Sequence, residues 1–91
     1  MKLWILKPIN PNAGNWDPWY DKTFGFVVCA PDEAAARALA HADAGDENRG
    51  EFLGEKTSLS TTPWLDAALS TCIELVAGSE ARVVMYDHHS A

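Results

Sequence analysis

Residues 23–42 read TFGFVVCAPDEAAARALAHA and join a strand pattern to a helix pattern. The first eight of them alternate between two sides, which is the period-two pattern of a β-strand. One side carries Phe24, Phe26 and Val28, and the other carries Gly25, Val27 and Cys29. A strand that leads directly into a helix is typical of split βαβ units, so this stretch predicts a mixed α+β domain.

The helix signal begins at Pro31, which suits the first helical position because its missing N–H is not needed there. Asp32 and Glu33 place negative charge in the first turn, where the helix dipole favours it. Small apolar residues then recur at helical spacing: Ala34, Ala35, Ala38, Leu39 and Ala42. We expect Leu39 to be the largest anchor of this stripe and Gly45 to end the helix in a left-handed conformation.

The other segments flank this unit with further strand patterns. Residues 2–9, KLWILKPI, are apolar on both sides and predict a strand, and residues 10–22 are rich in turn residues and predict a loop. Residues 45–63 show no periodic pattern, and residues 63–69 have room for one helical turn. Two β-rich runs, 70–77 and 81–88, are joined by a turn and predict a C-terminal hairpin.

Together these patterns predict an α+β fold of the order ββαββ. A four-stranded, mainly antiparallel sheet carries one alanine-rich helix on one face. The side chains expected in the core are Phe26, Val28, Leu39, Ile73 and Val84. A sheet covered on one side leaves exposed edges, so we also expect a homodimer formed through an edge strand or through the bare sheet face.

The composition limits the classes of function. The chain has 91 residues, one domain's worth (1–91), with 7 basic and 13 acidic side chains and a formal net charge of −6. This charge argues against direct nucleic-acid binding, which depends on lysine and arginine neutralising phosphates, and against a basic membrane-surface module. The sequence has no apolar run of about 20 residues and no signal-peptide pattern, so we expect a cytoplasmic protein.

Histidines and cysteines are the candidates for chemistry. His88 and His89 are consecutive in a strand-like run, so they point to opposite faces, and Asp87 with His89 gives too few ligands for zinc. Cys29 and Cys72 form no C-x-x-C pair and are expected to be buried free thiols. We therefore expect no cofactor, no metal and no enzymatic activity. The alternative is a small metal-binding protein or enzyme that uses His88, His89 and a cysteine.

A loop rich in aromatic and acidic residues, residues 15–21 with the sequence NWDPWYD, is the strongest candidate for function. Tryptophan and tyrosine dominate interface hot spots, although the same side chains serve equally well if the loop folds back and covers the domain's own apolar surface. An acidic stretch at 43–55 is either a solvated loop or a face for a basic partner. The predicted partner-binding residues are Trp16, Asp17, Trp19, Tyr20, Asp21, Asp43, Asp46, Glu47 and Glu51.

In its organisation the chain resembles the small acidic orphan proteins of phages and prophages, of which the anti-CRISPR proteins are the best-defined functional group. The features that carry this resemblance are the short N-terminal strand, the strand FGFVVCA, the helix PDEAAARALA and the closing β-rich runs. It implies a non-enzymatic inhibitor that occludes a basic, nucleic-acid-binding surface of a bacterial defence complex. These inhibitors share no common motif, so the resemblance assigns no functional residue.

Overall fold

The computed structural model describes residues 1–17, 20–52 and 54–87. These residues form a small α+β fold with one α-helix and one three-stranded antiparallel sheet. In chain order the elements are β1 (Lys2–Pro8), β2 (Phe26–Ala30), α1 (Glu33–Asp43), β3 (Glu51–Phe52), β4 (Glu55–Lys56) and β5 (Ser70–Glu74). Three 3-10 turns, at Gly14–Trp16, Asp46–Asn48 and Pro63–Leu65, connect them.

The sheet has the strand order β2-β1-β5, so the N-terminal strand lies in the middle. Leu6 of β1 pairs with Phe26 of β2 on one side and with Cys72 of β5 on the other. The short strands β3 and β4 form a separate two-stranded ladder. The strands predicted around residues 2–9 and 23–30 are confirmed, with the second beginning at Phe26.

The predicted helix is confirmed, but both of its ends differ from the prediction. Asp32 is the N-cap residue, and its carboxylate accepts a hydrogen bond of 2.8 Å from the backbone N–H of Ala35. Pro31 therefore precedes the cap instead of occupying the first helical position. At the other end Ala44 caps the helix, and Gly45 has a φ of −96°, so it is not a left-handed terminator. Gly45 serves a close approach, because a Cβ there would clash with the Asp21 carbonyl oxygen.

The rotation of α1 about its axis also differs from the prediction. Ala36, Arg37 and Ala40 are buried, whereas Leu39 is 49% exposed. Alanine occurs on every side of this helix, so the sequence pattern alone does not fix which side faces the sheet. The guanidinium of Arg37 fixes it, because it donates to the carbonyl oxygens of Trp64 and Ser70 at 2.9 and 3.1 Å. It also donates to the Ser70 hydroxyl at 2.9 Å and pairs with Glu33.

The core lies between the sheet and α1, and tryptophans fill it. Its buried members are Leu6, Trp16, Ala30, Ala36, Ala40, Trp64 and Cys72. Of the residues predicted for the core, Phe26 and Val28 are partly buried against this cluster. Leu39, Ile73 and Val84 are exposed, and their prediction was wrong. Strand alternation explains Ile73, because its neighbour Cys72 points into the core and Ile73 therefore points away from it.

Of the predicted C-terminal hairpin, the first strand is formed, as β5, and the second is not. Residues 75–87 contain no strand, so within the described residues the sheet has three strands instead of four. The side chain of Arg82 holds this segment in a turn by donating to the carbonyl oxygens of Val76, Ala77 and Glu80. Gly78 allows the turn with a φ of +73°.

A search of the described residues finds no helix with both the length and the apolar character needed to cross a membrane.

Candidate protein-binding surface

Two segments that the sequence marks separately meet in the structure. The backbone N–H of Asp46 donates to the carbonyl oxygen of Asp21 at 2.7 Å, which joins the aromatic loop to the acidic stretch. Beside this junction lies a shallow cleft of about 110 Å³. It is lined by Tyr20, Asp46, Arg49, Glu51 and Gly54, and we call it the acidic cleft.

The acidic cleft holds two carboxylates around one cation. The guanidinium of Arg49 lies 3.6 Å from Asp46 and 3.5 Å from Glu51. Both carboxylates are about one-third exposed, and the arginine is largely exposed, so solvent screens these pairs. One positive charge between two negative ones leaves the cleft net negative, and the arginine orients the two carboxylates.

Tyr20 gives the cleft an aromatic wall that already faces a cation. Its side chain is 39% exposed, and the Lys22 ammonium lies 5.8 Å from the ring centroid. At this distance the ring quadrupole attracts a positive charge. The combination of Tyr20, Asp46 and Glu51 therefore suits a lysine or arginine side chain from another protein.

Trp16 does not belong to this surface. It is only 2% exposed, and its indole N–H donates to the carbonyl oxygen of Thr23 at 3.0 Å. Its ring meets that of Trp64 edge to face, with 5.2 Å between the centroids. The structure therefore supports, for Trp16, the alternative in which the loop folds back onto the domain.

Glu47 is also inside the molecule, in contrast to the exposed acidic face expected from the sequence. It is 1% exposed, and one carboxylate oxygen accepts from the backbone N–H groups of Thr23 and Gly45, both at 3.0 Å. The other oxygen accepts from the Trp64 indole N–H at 2.6 Å. This carboxylate connects three segments of the chain and is not available to a partner.

The other predicted partner-binding residues are placed as follows. Asp21 is exposed beside the junction, Asp17 is half-buried, and Asp43 is exposed at the end of α1. Trp19 lies outside the described residues. The structure thus brings together Tyr20, Asp21, Asp46 and Glu51 from the predicted set. It adds Arg49, which the sequence signals only by its i, i+3 spacing from Asp46.

The two thiols have different environments. Cys72 is buried as expected, and burial raises the pKa of its thiol, with Arg37 lowering it and Glu33 raising it to smaller extents. A buried thiol with a raised pKa is a poor nucleophile at neutral pH. Cys29 is exposed, contrary to the prediction, because it lies on the sheet face that α1 does not cover. Both cysteines are free.

The alternative metal site falls mostly outside the described part of the chain. His88 and His89 are not among the described residues. Within residues 1–17, 20–52 and 54–87, no group of three or more histidine, cysteine, aspartate or glutamate side chains is placed to hold a metal ion.

Comparisons of the chain with protein-family models, with curated proteins and with solved structures give no match.

Proposed function

We propose that this chain is a non-enzymatic protein that binds and occludes a basic surface of another protein. The observation that carries the proposal is the acidic cleft. Two segments far apart in the sequence are hydrogen-bonded together there, and they present two carboxylates and a tyrosine ring around one small cavity.

The charge of the whole chain supports the same conclusion. A net charge of −6 on 91 residues steers the protein toward cationic surfaces at long range. The acidic cleft then supplies a short-range contact, in which Tyr20 contributes apolar area and Asp46 and Glu51 contribute hydrogen-bond acceptors. Tyrosine at the centre of such a contact is typical of interface hot spots.

We further propose that the basic surface is one that binds nucleic acid in a bacterial defence complex. The resemblance to anti-CRISPR proteins suggests this partner class, which would place the chain in the cytoplasm of a phage-infected host. In this proposal Asp46 and Glu51 occupy positions that phosphate groups would otherwise take. The protein and the nucleic acid therefore compete for one surface.

The test is capture of a partner from bacterial lysate with the immobilised chain, followed by elution with duplex DNA or RNA. We expect nucleic acid to release the captured protein. We also expect the double variant Asp46→Asn/Glu51→Gln to bind at least tenfold more weakly, with most of the loss in the association rate and a flatter dependence on salt. Surface plasmon resonance on the purified pair measures both rates.

A matched control separates the acidic cleft from overall charge. The double variant Glu74→Gln/Glu80→Gln changes the net charge by the same amount at residues outside the cleft. We expect it to bind close to the wild-type level. Equal losses in the two double variants, or a captured protein that nucleic acid does not displace, would contradict the proposal.

A further inference from the structure

Strand β2 has an open edge. In the part of the chain that the structure describes, its hydrogen-bonded neighbour in the sheet is β1, so the other side of β2 is unpaired. Its five residues, FVVCA, include no charged residue and no proline. Natural sheets usually protect an open edge with charges, prolines or bulges. This edge lacks the first two of these devices.

Exposed apolar side chains lie on both sides of this edge. On the sheet face away from α1, Val27 is 57% exposed and Cys29 is also exposed. On the helix side lies Leu39. Arg37 points toward Ser70 at the β5 end of the sheet, and Leu39 lies about 200° further round the helix. Leu39 is therefore on the side of α1 turned away from Ser70 and the β5 end of the sheet.

The opposite edge of the sheet, formed by β5, is different. Glu74 ends this strand and forms an ion pair of 3.5 Å with Lys2 of β1, and the Thr71 hydroxyl donates to the Lys7 carbonyl oxygen. The chain then enters the turn held by Arg82. A charged residue and an adjoining turn protect the β5 edge, whereas β2 has neither along its length.

We propose that β2 is a homodimerisation edge, at which a second copy of this chain pairs antiparallel with the first about a two-fold axis at Val28. This register places Val28 opposite its own counterpart, Val27 opposite Cys29, and Phe26 opposite Ala30. All five pairs are apolar, and no like charges meet. The two copies of Leu39 approach each other above the paired strands.

Charges next to β2 also suit a second copy. Lys22 precedes the strand and Asp32 follows it, so antiparallel pairing brings Lys22 of one copy to the end where Asp32 of the other lies. The continued sheet would have six strands, with an α1 helix from each copy on the same side. Strand β2 contributes no residue to the acidic cleft, and substitutions at Val27 and Leu39 leave the cleft lining unchanged, so the test of the dimer is independent of the proposed function.

Sedimentation equilibrium of the purified chain over a concentration series tests the proposal. We expect a reversible dimer for the wild type and at least a tenfold larger dissociation constant for Val27→Lys, which places a charge on the edge. Ile73→Lys is the matched control, because Ile73 is 59% exposed on the same sheet face but lies on β5. It should dimerise like the wild type.

A second variant distinguishes loss of the dimer from loss of the fold, and a crosslink tests the register of the paired strands. Leu39→Lys alters an exposed helix position and should also weaken the dimer at least tenfold while circular dichroism stays unchanged. In Val27→Cys, mild oxidation with diamide should join the introduced thiol to Cys29 of the second copy, because opposite Cα atoms are about 4.5–5.5 Å apart. The control Ile73→Cys should give no such covalent dimer.

A monomeric wild type at millimolar concentration would overturn the proposal. So would a dimer that Val27→Lys and Leu39→Lys leave intact, or one that Ile73→Lys disrupts to the same extent.

Discussion

Buried polar side chains with long-range partners hold this small domain together. Glu47, Arg37, Asn15 and Ser70 are all buried. The first three contact backbone groups far away in the sequence, and the Ser70 hydroxyl accepts from the distant Arg37. Asn15, for example, donates to the carbonyl oxygens of Glu47 and Ser60 at 2.9 and 2.6 Å. A buried polar group is costly unless it is hydrogen-bonded, so these contacts fix the loops in one arrangement.

Replacing Glu47 by glutamine tests this role. The carboxylate accepts three hydrogen bonds, and an amide in its place must turn its NH₂ group toward one of the three donors. We expect the free energy of unfolding to fall by about 2–4 kcal/mol, because a buried donor is then left without an acceptor. Urea denaturation followed by circular dichroism measures the change.

Glu55→Gln is the control for this substitution, since Glu55 is exposed on β4. It should change the stability by less than about 0.5 kcal/mol. If Glu47→Gln were equally neutral, the carboxylate would not have the structural role that its hydrogen bonds indicate.

The sequence could not distinguish Glu47 from Glu51 or Asp46, because all three lie in one acidic stretch without periodicity. Burial of Glu47 depends on Thr23 and Trp64, which are distant in the chain, together with the neighbouring Gly45. The same holds for Trp16, whose burial depends on Trp64. In contrast, the placement of Tyr20, Asp46 and Glu51 on the surface agrees with their residue types.

At the scale of elements, local signals were sufficient for the positions of the main elements but not for their orientation. Alternation predicted β1 and β2, and an acidic cap before an alanine-rich run predicted α1. The rotation of α1 required Arg37 and its contacts with Ser70 and Trp64. The turn after residue 77 was predicted, but residues 81–87 form no strand after it. The alternating pattern does not reveal that the Arg82 side chain binds the carbonyl oxygens of Val76, Ala77 and Glu80.

The rotation of α1 gives a prediction that contrasts two substitutions. Leu39→Ala should lower stability by less than about 1 kcal/mol, measured at a concentration where the chain is monomeric, because Leu39 is half exposed. Ala36→Leu should cost about 1–3 kcal/mol, because Ala36 is fully buried and the added atoms have no space. Thermal and urea denaturation of both variants provide the comparison.

The control for this experiment is Ala38→Leu, since Ala38 is exposed on the same helix. It should match the wild type within about 0.5 kcal/mol. A large loss for Leu39→Ala combined with none for Ala36→Leu would mean that the helix buries the opposite side.

At the scale of the whole molecule, the sheet is one layer, and its two faces are covered unequally. The face toward α1 carries the tryptophan core, while the other face exposes Leu3, Val27 and Ile73. Ile5 is buried at the centre of that exposed face because strands lie on both sides of it. The central strand β1 is therefore the best-protected element of the fold.

Hydrogen exchange should reflect this arrangement. We expect the amides of Ile5 and Leu6 to exchange at the rate of global unfolding, because β1 is paired on both sides. The amides of Glu55 and Lys56 should exchange at least a hundredfold faster, since β3 and β4 form a two-residue ladder on the surface. Exchange followed by NMR spectroscopy resolves these amides, and similar rates in the two regions would contradict the topology.

The central position of β1 also has a consequence for the order of folding. Trp4 pairs with Val28, 24 positions along the chain, but its partner on the other side, Glu74, is seventy positions away. Closing the larger loop costs more chain entropy, so the unit β1-β2-α1 is favoured to assemble first and β5 to join it afterwards. During that interval both sides of the growing sheet are open, and the edge of β1 that later pairs with β5 offers a site at which chains can associate wrongly at high concentration.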